Sequence, residues 1–113
     1  MIGKLLALKT LESMFRFVIK TMPEEFDSHD FIAAVVYQHP DIYIRALQAK
    51  ALSHHPFEVV NEEIIQHLST NSLVKAVGKR NSENMFKQLK TAIVWKRFEQ
   101  CGLYIYALKI VGR

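Results

Sequence analysis

The stretch Ser82-Glu83-Asn84-Met85-Phe86-Lys87-Gln88-Leu89-Lys90-Thr91-Ala92-Ile93-Val94-Trp95-Lys96-Arg97-Phe98 decides how this chain is read, because its character changes halfway along. The first half carries helix signals. Ser82 is a good N-cap residue, Glu83 places negative charge near the unpaired N–H groups of a first turn, and Met85, Phe86 and Leu89 fall on one face. From Ile93 the run is β-branched and aromatic, and a second such run, Leu103-Tyr104-Ile105-Tyr106-Ala107-Leu108, follows Glu99-Gln100-Cys101-Gly102. Gly102 can take the positive φ that a tight loop needs. The spacing predicts a helix over 82–90 leading into a C-terminal hairpin of strands 93–98 and 103–108. An isolated hairpin is marginal in water, so this one must pack on helices.

Upstream, the pattern is helical. Leu8, Leu11, Phe15, Val18 and Ile19 form an apolar stripe between about Leu5 and Met22, which Pro23 ends. Asp27 or Ser28 caps a second helix with Phe31, Ile32, Val35 and Val36 inward, and Pro40 breaks it. Asp41 starts a third, facing inward through Tyr43, Leu47 and Ala51 with Ile44 beside them. Ser53-His54-His55-Pro56 reads as a loop and Asn61 as the cap of a fourth helix reaching about Ser69. Thr70 to Asn81 is the least legible segment; Leu73, Val74 and Val77 suggest one helical turn that Gly78 ends. The expectation is an α+β fold: a mostly helical single domain over 1–113, closed by a C-terminal β-hairpin.

Composition narrows the function classes. At 113 residues, half apolar and 23% charged, the chain has the make-up of one globular domain rather than a disordered segment. The single cysteine, Cys101, allows no internal disulfide and no cysteine-rich zinc site, which suits a reducing, cytoplasmic setting. Lys9 and Glu12 interrupt the short N-terminal apolar run, which therefore reads as a helix start rather than a secretion signal. No stretch approaches the length of a membrane span. Charge is divided unevenly: residues 71–113 hold nine Lys/Arg against Glu83 and Glu99, a net of +7, while residues 1–70 have a net of −3. A concentrated basic half points to a polyanionic partner, although an ordinary solvated face has the same composition.

A helix, a helical turn, a second helix running into a strand, then a short loop and a return strand resembles the winged-helix family. The likeness covers Val60 to Leu108, with Tyr43 to Ala51 as the preceding helix, so that 41–113 would be the winged-helix-like part and 1–40 accessory helices. Asn61 to Leu68 is similar to the first helix of the helix-turn-helix. The resemblance implies that Ser82 to Lys90 is a recognition helix, that 93–98 and 103–108 are wing strands, and that duplex DNA is the partner. Lys79, Arg80, Lys87, Lys90, Lys96 and Arg97 would then neutralise phosphates, with Asn84 and Gln88 (and Asn81) hydrogen-bonding bases or phosphates. The alternative is a protein-interaction or homodimerisation module on the same scaffold.

Other constellations point nowhere specific. His29, His39, His54, His55 and His67 match no metal-ligand spacing, so no metal is expected. Cys101 has neither a helix N-terminus nor a nearby base to activate it. The acidic residues Glu24, Glu25, Asp27, Asp30 and Asp41 sit where helix starts account for them. No phosphate loop or hydrolase motif is present, so neither a catalytic residue nor a cofactor is expected. Trp95, Tyr104 and Tyr106 either pack the hairpin on the core or, if exposed, stack on bases.

Overall fold

The computed structural model of the protein describes residues 14–97. These form four helices and one three-stranded antiparallel sheet, an α+β arrangement. A helix over 14–21 (α1) leads into β1 (Glu25–Asp27), then α2 (Ser28–Gln38), α3 (Pro40–Ala49) and α4 (Pro56–Ser69). The described residues end in two long strands, β2 (Val74–Glu83) and β3 (Leu89–Arg97). Strand order is β1-β3-β2, so β3 is the centre of the sheet. Among the described residues no helix is long and apolar enough to cross a membrane.

Several helix boundaries follow from local chemistry. Asp27 caps α2 by accepting from the Asp30 backbone N–H at 2.9 Å, and Asp30 returns the favour by accepting from the Asp27 N–H at 3.0 Å. This reciprocal capping box satisfies two donors that the first helical turn leaves unpaired. Pro40 cannot continue the ladder of α2, and it becomes the first residue of α3, where a missing N–H costs nothing. Pro56 does the same for α4.

The core is one cluster fed by every element. Phe15, Val18 and Ile19 come from α1, Met22 from the bend that follows it, Phe26 from β1, and Phe31, Ile32 and Val35 from α2. Ile42, Tyr43 and Ala46 of α3 meet Val60, Ile64 and Leu68 of α4, with Val74 and Trp95 closing the sheet side. Phe15 meets Phe31 edge-on at 5.2 Å, a favoured aromatic geometry. Residues 14–40, expected as an accessory layer, thus supply eight of the sixteen core side chains.

Four expectations are corrected. Residues 82–90 are not a helix: they finish β2, make the turn and open β3. Thr70 to Asn81 holds no helical turn ended by Gly78; its second half is β2. Helix α4 begins at Pro56 rather than at Asn61, whose side chain instead accepts from the Tyr43 hydroxyl at 2.6 Å. In α3 Tyr43 is buried and Leu47 packs against the core as expected, but Ile42 and Ala46 are the other buried residues, Ile44 is exposed, and Ala51 is exposed beyond the helix end. The first two share a cause. Helix preference is worth only tenths of a kcal/mol per residue, on the order of what one cross-strand pair returns. Pairing β2 with β3 lets Ala92, Val94 and Trp95 be buried at once. The expected loop Glu99–Gly102, the return strand Leu103–Leu108 and the helix start near Leu5 lie outside the described residues.

Candidate functional site

Two features stand out on the surface: a basic ribbon made of β2 and β3, and a cleft where the ribbon's turn meets α4. The ribbon is long because pairing runs without a break in β3 from Arg97, opposite Val74, to Leu89, opposite Glu83. A bulge between Ala76 and Gly78 leaves Val77 unpaired and exposed. A bulge of this kind raises the local twist of the strand pair. Beyond Val74, almost every β2 residue is exposed.

The turn is built by Asn84. Its backbone N–H donates to the Gln88 carbonyl and its own carbonyl accepts from the Lys87 N–H, both at 2.9 Å. Its side-chain Oδ1 accepts from the N–H groups of Phe86 (2.9 Å) and Gln88 (3.0 Å), and its Nδ2 donates to Gln88 Oε1 at 3.2 Å. The result is a three-residue loop, Met85-Phe86-Lys87, with Lys87 at φ 65°. That left-handed position is the one a three-residue hairpin loop requires after its first turn. Asn84 and Gln88, expected to reach bases, are the residues that close this turn.

Past the bulge, the ribbon is fastened to the α2 N-terminus. Arg80 donates from Nε to Asp27 Oδ2 at 2.9 Å and from Nη2 to Asp30 Oδ2 at 3.3 Å. Burial pushes the Asp27 carboxyl up, but hydrogen bonds from the Asp30 backbone, Arg80 and Ser82 outweigh it and hold its pKa below the ordinary value. The hydrogen bond to Asp27 raises the Arg80 pKa in turn. Ser82 Oγ lies 2.7 Å from His29 Nδ1. On the other side of β3, Trp95 Nε1 donates to Ser28 Oγ at 3.0 Å, and the Ser28 hydroxyl donates to the Ile93 carbonyl at 3.4 Å.

These contacts sort the expected site residues. Arg80 is committed to the two aspartates. Lys96 lies 3.8 Å from Glu24, and Arg97 donates to the Lys20 carbonyl at 3.1 Å. Lys79, Lys87 and Lys90 are exposed and, among the described residues, have no ion pair; the same holds for Lys75. The ribbon over 74–97 carries seven Lys/Arg and one carboxylate, Glu83, a net of +6. Helix α4 carries Glu58, Glu62 and Glu63 and no Lys or Arg.

Sequence reasoning missed the cleft. It is open, about 880 Å³ in volume, and runs between the start of α4 and the ribbon turn, with Ser28, His29 and Ile32 of α2 at its base. Phe57 of α4 and Phe86 of the turn meet across its rim edge-on, 5.2 Å between ring centres. Both rings remain substantially exposed, at 41% and 47%. No local signal could have paired them, since 29 positions of chain separate them. His54 and His55 line the cleft with rings 6.3 Å apart. Among the described residues no group of three or more His, Cys, Asp or Glu is placed to hold a metal ion. No protein-family model, curated protein or solved structure matches this chain.

Proposed function

We propose that the protein is a non-catalytic nucleic-acid-binding domain that lays its basic β2–β3 ribbon along duplex DNA. One observation carries this reading: Lys75, Lys79, Lys87 and Lys90 stand exposed along a single two-stranded ribbon, without ion pairs among the described residues. A two-stranded ribbon fits the major groove in width, and cations spaced along it release counterions from successive phosphates. The likeness to a winged helix then rests on the order α4, β2, turn, β3. The recognition-helix position passes to α4, whose Glu58 and Glu62 repel phosphate (Glu63 is paired with Lys50 at 3.1 Å), so DNA contact falls to the wing. Arg80 and Lys96 act in this reading by aiming the ribbon rather than by touching DNA.

The test is anisotropy of a labelled random duplex titrated with the full chain at roughly 50 and 200 mM salt, where the log–log slope is about −0.9 per phosphate neutralised. Changing Lys75, Lys79, Lys87 and Lys90 together to Ala should flatten that slope by about 3 to 4. A slope that survives the four changes, or no binding at low salt, refutes the reading. A homodimer formed edge-to-edge through β2 is the rival, and it would set Lys79 and Arg80 of two copies against each other. A dimeric mass in light scattering that the four alanines strengthen would favour it.

A further inference from the structure

The rim of the cleft joins an aromatic pair to two walls of opposite charge. One wall is the ribbon turn and the start of β3, where Lys90 lines the cleft and exposed Lys87 follows Phe86 on the turn just outside it; the other is α4 with Glu58 and Glu62. Phe57 and Phe86 sit between them, each with close to half its surface in water. A large apolar ring left exposed beside a cleft of this volume is unusual unless something covers it. An all-anionic ligand is repelled by the α4 wall, and a cationic one by the turn. A ligand with a flat apolar body, anionic groups on one side and hydrogen-bond donors on the other satisfies both.

We infer that the cleft takes unpaired bases of a single strand. The bases stack on Phe57 and Phe86, the phosphates lie along Lys87 and Lys90, and exocyclic amino groups donate to Glu58 and Glu62. Stacking on exposed aromatic side chains with a flanking cationic track is how single strands are generally held. Carboxylates accept from the two N–H bonds of the cytosine amino group, whereas unpaired thymine has no amino group and offers a single N3–H. This rests on the nucleic-acid reading above and adds its substrate class: a strand end, gap or bubble beside duplex rather than uninterrupted duplex. The ribbon would hold the paired side while the cleft holds the unpaired one.

Labelled single strands of oligo-dC and oligo-dT and a duplex of the same length, titrated with the full chain, test this. Oligo-dC should bind more tightly than oligo-dT. Changing Phe57 and Phe86 together to Ala should weaken single-strand binding by about 5- to 150-fold while leaving duplex binding within about twofold. Glu58→Ala with Glu62→Ala, which removes both acceptors, should erase the preference for dC over dT. Phe86→Leu, with circular dichroism matching the wild type, separates loss of stacking from loss of fold and should weaken single-strand binding alone. Salt-dependent duplex binding with single-strand affinity unmoved by the aromatic changes overturns the stacking inference and leaves the ribbon reading standing. No binding of any probe overturns both.

Discussion

Replacing Asp27 by alanine should loosen the ribbon from the helical body, and the size of the effect can be worked out from its contacts. The carboxylate is 1% exposed, caps α2 through the Asp30 N–H and accepts from Arg80 Nε at 2.9 Å. Losing a cap of this kind costs about 1 kcal/mol. A hydrogen bond to a charged group is worth about 1.5–3 kcal/mol. Arg80 is 48% exposed, and water can take over its guanidinium, so the lower end applies. Asp27→Ala should therefore cost about 2–3 kcal/mol in urea unfolding, a drop on the order of 10–20 °C in Tm for a domain of this size. Asp27→Asn keeps the cap through Oδ1 but turns an amide N–H group toward Arg80 Nε, losing that hydrogen bond along with the charge, so it should cost about 1.5 kcal/mol. Hydrogen exchange should show amides of Lys79 to Ser82 losing more protection than those of α3 and α4. The pH dependence follows from the depressed pKa. A carboxylate held below its ordinary value stabilises the fold above the unfolded pKa, about 3.9, and that share is lost as pH falls through the folded value. Asp27→Asn should flatten acid unfolding in that window. An alanine variant within about 0.5 kcal/mol of wild type, or an asparagine variant as stable as wild type, would refute the latch.

Three further outcomes follow from single contacts. Lys87→Gly relieves a left-handed backbone position and should raise stability by about 1 kcal/mol while reducing the DNA salt slope by about 0.9, a split no purely structural residue would give. Ser28→Ala leaves the buried Trp95 Nε1 without its acceptor and should destabilise by about 1–3 kcal/mol, with a changed tryptophan emission as its signature. Burial pushes the Tyr43 hydroxyl up to about 12 against the opposing Asn61 hydrogen bond, so its absorbance titration should lag behind exposed tyrosines. Tyr43→Phe should remove that late step at a cost of about 1 kcal/mol.

Much of the helical body was legible. Pro23 and Pro40 are punctuation that no tertiary context easily overrides, since a missing N–H and a fixed φ act within one turn. Asp27 could be read as a cap because its partner, Asp30, lies three residues away. Phe31, Ile32 and Val35 were legible for the same reason: one helix face repeats locally. Helix α4 was read five residues short because Phe57 and Glu58 lack the apolar periodicity of Val60, Ile64 and Leu68, and Phe57 faces the cleft instead of the core. The strand character of Ile93 to Trp95 was read correctly from side-chain type, and the charge division between halves was plain in the composition.

The ribbon itself was not. Strand β2 lacks the polar–apolar alternation that marks a half-buried strand, because after Val74 nearly all its residues are exposed on both faces. Ser82 to Lys90 satisfies every local helix rule and still folds as strand, turn and strand. The deciding terms are contacts across the chain: Asp27 with Arg80, Ser28 with Trp95, and Ala92 opposite Arg80. Short-range chemistry, acting over three or four residues, is written into neighbouring letters and set the helices, their caps and the basic half. The hairpin's register, the latch and the Phe57–Phe86 cleft depend on pairs tens of residues apart, whose energies exist only once the core has brought them together.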